Sequence, residues 1–238
     1  MKYSKAALPN QIYKNSNYEK MNYRGSAGIL FKINHWLLEV GVDKKYNEHI
    51  LEVGGGAKSH LEFIKSKNIK TYTIIDDKFF LRSVELLKKK NDKINFFFID
   101  YKDQKSIKKI KQRFTRLISS HTFEHFLTFE DSFLKILPLL KKNSLLSIAL
   151  PCDPGILWRA LQFISYFKQK KIYGWKNFKQ KDLDDSRDHL TSVQNIIKVF
   201  NFYFKNISFK YFPFVVPIVW LNIFLIIQIK LKYFRNKF

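Results

Sequence analysis

From residue 50 onward, short and almost wholly apolar runs alternate with longer stretches in which apolar residues recur every three or four positions. The runs cover residues 50–53, 71–75, 94–99, 115–119 and 144–150; the helix-like stretches between them cover 59–67, 79–90, 106–113 and 129–140. Such short, continuously apolar strands belong to sheets buried on both faces, and their alternation with helices predicts βαβ units around a parallel sheet. Ahead of them the chain is polar, then amphipathic over 29–40, which predicts a helix in an N-terminal cap spanning 1–48. Beyond Leu150 the rhythm changes. Pro151-Cys152-Asp153-Pro154-Gly155 is a turn cluster, followed by an expected helix over 156–170, a polar loop over 173–187, a helix over 192–202 and strands over 207–212 and 221–232. With no internal repeat and no long linker, the chain reads as one domain, 1–238. Its core half is 50–150, an insertion occupies 151–206, and a strand pair closes it over 207–232.

Composition narrows the function classes. Hydrophobic residues make up 46% of the 238, enough for a packed core and too many for a disordered tail. A single cysteine excludes a disulfide scaffold and any all-cysteine zinc site. The 43 basic and 20 acidic residues leave a net charge of +23, which suggests nucleic acid, a membrane surface or a phosphorylated substrate as partner. The same lysine-rich, glycine-poor mixture also follows from AT-rich codons, whatever the protein binds. No apolar run follows Met1, so a cytoplasmic chain is expected. Residues 212–229 carry no charge and lie at the lower length limit for crossing a bilayer. Pro213, Pro217, Asn222 and Gln228 interrupt them, which favours a strand pair with a proline-containing turn over a membrane anchor.

The most informative segment is Ile50-Leu51-Glu52-Val53-Gly54-Gly55-Gly56-Ala57-Lys58-Ser59, a strand that ends in an acid before a glycine-rich turn. The dinucleotide pattern G-x-G-x-x-G fails at Ser59, and no G-K-[ST] follows to make a phosphate-cradling loop. Glu52 would repel a pyrophosphate but suits a cationic ligand. Later runs also end in polar groups: Ile74-Ile75-Asp76-Asp77, Phe98-Ile99-Asp100-Tyr101 and Ile118-Ser119-Ser120-His121-Thr122-Phe123-Glu124-His125. In this order the segments resemble the class I S-adenosylmethionine-dependent methyltransferases, whose first motif reads (E/D)-x-G-x-G-x-G. Glu52, Gly54 and Gly56 match it, and Lys58 stands in place of the third glycine. The resemblance covers about residues 50 to 150. It implies a doubly wound, Rossmann-like α/β fold with seven mostly parallel strands and an antiparallel last strand, formed by 222–230. S-adenosylmethionine would then lie on Glu52 and Gly54, Gly55 and Gly56. Asp76 or, second, Asp77 would accept from the ribose, Asp100 and Tyr101 would meet the adenine, and Ser119 would close the site.

Methyl transfer to a hydroxyl gains from a general base; His121, Asp153 and His189 are the candidates, while Glu124-His125 reads as structural. The loop after the fourth strand lacks the (D/N)-P-P-(Y/F) tetrapeptide of nucleobase amine methylation. The lysines are scattered, and no separate nucleic-acid module fits, so nucleic acid is disfavoured as a partner. Residues 151–159 resemble a stretch seen in methyltransferases of surface-polysaccharide pathways. There Asp153 would bind sugar hydroxyls, Trp158 would stack on a ring and Arg159 would pair with a phosphate; alternatively, Trp158 merely packs the insertion onto the core. Cys152 reads as an inert thiol. Trp158, Phe163, Tyr166 and Phe167 followed by Lys168, Lys170 and Lys171 form an aromatic, basic helix suited to an anionic membrane surface. The expectation is therefore a cytoplasmic O-methyltransferase, peripheral to the inner membrane face if its small-molecule or sugar acceptor is lipid-linked rather than nucleotide-linked. No metal ion is expected. The competing expectations are an RNA methyltransferase and a membrane-anchored methyltransferase-like protein.

Overall fold

A computed structural model describes residues 25–232 apart from 57 and 67; residues 1–24 of the expected cap lie outside the described residues. Seven strands, β1 (His49–Val53), β2 (Thr71–Asp76), β3 (Asn95–Asp100), β4 (Phe114–Ser120), β5 (Leu140–Pro151), β6 (Ile207–Phe212) and β7 (Phe224–Lys230), form one sheet in the order β3-β2-β1-β4-β5-β7-β6. The first five pair in parallel, and β7 runs antiparallel between β5 and β6. This is the doubly wound, mostly parallel sheet that the strand–helix rhythm and the resemblance imply. The helices are α1 (Gly25–Glu39), α2 (Leu81–Lys90), α3 (Gln104–Lys108), α4 (Phe129–Ile136), α5 (Ile156–Tyr173), α6 (Phe178–Asp188) and α7 (Val193–Tyr203).

Successive residues of the central strands supply opposite cores, which is why those strands are mostly apolar. Leu51, Val53, Leu117, Leu146 and Ile148 pack with Phe129 and Phe133 of α4 and with Val193, Ile196 and Phe200 of α7. Ile50, Tyr72, Ile74, Ile118, Ala149 and Ile226 pack on the other side with Leu38 of α1 and Val84 of α2. Each such side chain contributes about 1.5–3 kcal/mol by leaving water.

The second face also holds a buried polar knot. Arg116 is fully buried; it meets Glu39 at 2.7 Å and donates to Asn47, Ser147 and the Leu38 carbonyl at 3.0–3.1 Å. Lys210 and Gln228 donate to the Val40 carbonyl. Unpaired carbonyls at the end of α1 thus receive donors from β4, β6 and β7, which docks that helix on the sheet.

Three local expectations change. The helix expected over 59–67 is only a 3-10 turn, His60–Phe63. Glu52 binds the Ser59 hydroxyl and the His60 amide, pinning the segment to β1, while α1 covers it through the Glu39–His60 pair at 2.7 Å. The helix expected over 106–113 is the five-residue α3. The polar loop expected over 173–187 contains α6, capped by Asn177; its Lys181 is buried against Gln162 and Asp185, and Trp175 donates to Asp184. Specific polar contacts rather than an apolar stripe hold that helix, so periodicity does not reveal it. Residues 212–229 form a loop and β7, with buried Asn222 bonding Phe214, Val216 and Ile218 across the turn. Among the described residues no helix is long and apolar enough to cross a membrane.

Candidate active site

The carboxyl ends of β1, β2, β3 and β4 meet at one edge of the sheet, where open α/β folds place their ligands. Gly54 leaves β1 with φ of +85°, its amide bonded to the Ile75 carbonyl at 2.9 Å. A Cβ there would fall 1.8 Å from the Thr122 hydroxyl, so only glycine lets the turn pass beneath the loop after β4. Gly56 is equally constrained: its Cβ would meet Phe80 at 2.4 Å and Asp76 at 2.8 Å. Gly55 lies over the Glu52 carboxyl.

Asp76 ends β2 and accepts the Gly56 amide on one oxygen and the Asp77 amide on the other, both at 2.7 Å. Each oxygen has a second lone pair, so the carboxylate can still receive two hydroxyl donors. Burial is the largest influence on this group and pushes its pKa up to about 6, against the two amides. Asp100 faces Asp76 across β3 and caps the turn into Lys102. Asp77 caps the next turn through Phe79 and binds Lys102 at 2.6 Å, and Lys102 in turn lies over the exposed Tyr101 ring. Ser119, opposite Val53, is buried with its hydroxyl unbonded among the described residues. An acidic strand end with spare acceptor capacity, a glycine cradle and an unbonded hydroxyl fit an adenosine-type ligand.

Glu52 takes a different part. Its carboxyl is buried and accepts from Ser59 (2.6 Å), His60 (2.8 Å) and Tyr72 (2.8 Å), so it organises the loop. Burial raises its pKa from the usual 4.5 to about 7. Because the folded value lies above the unfolded one, stability falls as pH rises from about 4.5 through 7. Urea titrations should show Glu52→Gln gaining on the wild type across that window, by on the order of 3 kcal/mol at pH 8. A constant difference would contradict a neutral Glu52.

A second cluster adjoins the first. His121, at φ of 52°, and the 3-10 turn Phe123–His125 follow β4. Glu124 points inward and is 3% exposed; His121 Nδ1 lies 3.6 Å and His125 Nε2 3.9 Å from its Oε1. Burial opposes its charge, but His121, His125 and His189 outweigh burial and hold its pKa below the usual range. His189 Nδ1 lies 2.6 Å from Asp153 Oδ2, a contact that raises its pKa against the opposing effect of burial. The Trp158 ring lies 6.4 Å from both His121 and His189, and Phe224 edges His121 at 5.3 Å. His121, Asp153, His189 and Trp158 are therefore brought together. Arg159 is not: it is exposed and held by both oxygens of Asp182 at 2.8 Å. Cys152 is buried, and burial pushes its thiol up to about 12.

No protein-family model and no curated protein sequence matches this chain. Solved structures do. An O-methyltransferase family protein from Burkholderia thailandensis superposes with a TM-score of 0.63 at 10% identity, over 93% of this chain and 62% of that one. The plantazolicin methyltransferase BpumL in complex with SAH gives a TM-score of 0.59 at 13% identity, over 94% of both chains. The CurJ carbon methyltransferase gives 0.60 at 14%, over 91% of this chain and 58% of that one. The fold is that of the class I methyltransferases. This chain spans less than two thirds of the first and third of these proteins. Within this fold the insertion lies against the loop after β4, with Trp158 beside His121, Asp188 bonded to His125 and the Thr191 amide bonded to the Glu124 carbonyl. Sequence reasoning passed over Thr122 and read Glu124-His125 as structural. Their signal was a Glu-His pair just beyond a strand end, which has chemical meaning only once residues 153 and 189 are known to lie beside it.

Proposed function

We propose that this protein is an S-adenosylmethionine-dependent O-methyltransferase acting on a small molecule or sugar. The observation that carries the reading is Asp76, which holds the glycine loop through Gly56 while keeping an acceptor position on each oxygen. In this reading Gly54, Gly55 and Gly56 cradle the cofactor, with Asp76 on the ribose and Asp100 and Tyr101 beside the adenine. Ser119 bonds it from β4, Asp77 fixes the turn around Phe79, and Glu52 keeps the loop in shape. S-adenosylmethionine supplies a methyl group already activated on a sulfonium, so the protein's task is alignment. His121 takes the acceptor hydroxyl's proton while the oxygen gains the methyl; the neighbouring Glu124 stabilises the resulting imidazolium. Asp153 and Trp158 hold the acceptor. Arg159 reaches an acceptor phosphate only by leaving Asp182.

The chain is cytoplasmic in this proposal and meets the inner membrane face when its acceptor is lipid-linked. Phe214, Val215, Val216, Ile218, Trp220 and Leu221 are exposed on the loop before β7, and Val219 and Trp220 lie against Gly155 at the start of α5. An apolar loop beside the acceptor cluster suits contact with lipid.

Calorimetric titration with S-adenosylhomocysteine tests the reading. One site of micromolar affinity is expected; no binding overturns it. His121→Ala should then lower kcat about a hundredfold with the acceptor identified, and leave S-adenosylhomocysteine affinity unchanged. An unchanged kcat would remove His121 as the base.

A further inference from the structure

We propose that Glu124, His125 and His189 bind a first-row divalent metal ion. No metal was expected from the sequence, because these residues lie on two distant segments. One ligand atom from each lies within 4.8 Å of the others. The second observation is Glu124 itself: it is 3% exposed, and neither carboxylate oxygen has a hydrogen-bond partner among the described residues. The imidazoles of His121 and His125, 3.6 and 3.9 Å from Oε1, offset its charge without a hydrogen bond, so the buried carboxylate keeps its acceptor positions for an ion.

The histidines are oriented as ligands. His125 Nδ1 lies 2.9 Å from the Asp188 carbonyl, and His189 Nδ1 lies 2.6 Å from the Asp153 carboxylate. A hydrogen on each Nδ1 satisfies these contacts, so each Nε2 is the nitrogen left to meet an ion, which would displace any proton there. Histidine ligands elsewhere commonly donate their second nitrogen to a carbonyl or carboxylate in this way. Ligand distances of about 2.0–2.2 Å require the three donors to close up by roughly an ångström, which side-chain rotation supplies.

Two imidazoles and one carboxylate suit zinc, manganese, cobalt or iron(II) better than calcium, which takes oxygen donors. Three protein ligands leave coordination positions open. His121 and Trp158 border the cluster, so an acceptor oxygen is the ligand those positions would take. There the ion would make a hydroxyl more acidic, leaving His121 free to receive the proton. This last role rests on the proposed methyl transfer; the metal site does not.

The test uses the full chain, stripped with a chelator and titrated with cobalt(II) or zinc alone. One equivalent should bind with micromolar affinity or tighter, and cobalt should develop visible absorption typical of nitrogen and oxygen ligation. His189→Ala and the shape-conserving Glu124→Gln should each weaken binding at least tenfold, Asp153→Asn should weaken it about tenfold by disorienting His189, and His49→Ala should leave it unchanged. Circular dichroism identifies any variant that fails to fold, and Glu124→Gln then stands as the deciding one. Absence of binding to the wild type, or affinity indifferent to both ligand substitutions, overturns the site. Titrating the same stripped protein with S-adenosylhomocysteine separates the two proposals, since cofactor affinity does not depend on the metal ligands.

Discussion

Asp76→Ala is expected to weaken S-adenosylhomocysteine binding by about two orders of magnitude, measured by calorimetry on a protein that remains folded. Two charge-assisted hydrogen bonds to ribose hydroxyls are worth about 1.5–3 kcal/mol each before the loss of water is counted, and tenfold in affinity is about 1.4 kcal/mol. The substitution also strands the Gly56 and Asp77 amides, so the glycine loop loses its tie to β2. Asp76→Asn separates these effects: its side-chain oxygen can keep one amide but not both, and it carries no charge. Affinity should in addition fall as pH drops through about 6, because protonating Asp76 removes the anionic acceptor. Unchanged affinity in Asp76→Ala would displace the ribose contact from β2.

Arg116→Ala should cost about 3–5 kcal/mol of stability, enough to unfold most single domains, with little direct effect on the ligand edge. The guanidinium is fully buried among Glu39, Asn47, Ser147 and the Leu38 carbonyl, and its removal leaves Glu39 with the buried His60 ring as its remaining partner. Part of the loss is thus the penalty of a stranded charge. Adding Glu39→Gln to Arg116→Met should therefore recover stability relative to Arg116→Met alone in urea titrations. If the two substitutions simply add, the ion pair does not hold α1 on the sheet.

Where the sequence could be read and where it could not follows one physical division. The strand ends were legible because a strand buried on both faces carries few acids, so Glu52, Asp76 and Asp100 stand out at or near the turns, whereas Arg116 and Ser147 sit mid-strand because the knot with Glu39 satisfies them. The 59–67 segment misled because its apolar spacing suits a helix, yet Glu52 and α1 compete for its backbone and side chains. Helix α6 was hidden for the opposite reason: its buried member is Lys181, which polarity places in solvent until Asp185 and Gln162 are seen beside it.

By itself, then, the amino-acid order determined the strand–helix alternation, the parallel sheet and the acidic, glycine-lined edge, all of which arise from local periodicity and from turns near each strand end. Only the tertiary structure decided that residues 121–125, 153, 158 and 189 surround one buried carboxylate. Those contacts join segments 36 and 63 positions apart, and neither hydrophobic period nor local turn chemistry carries information over that distance.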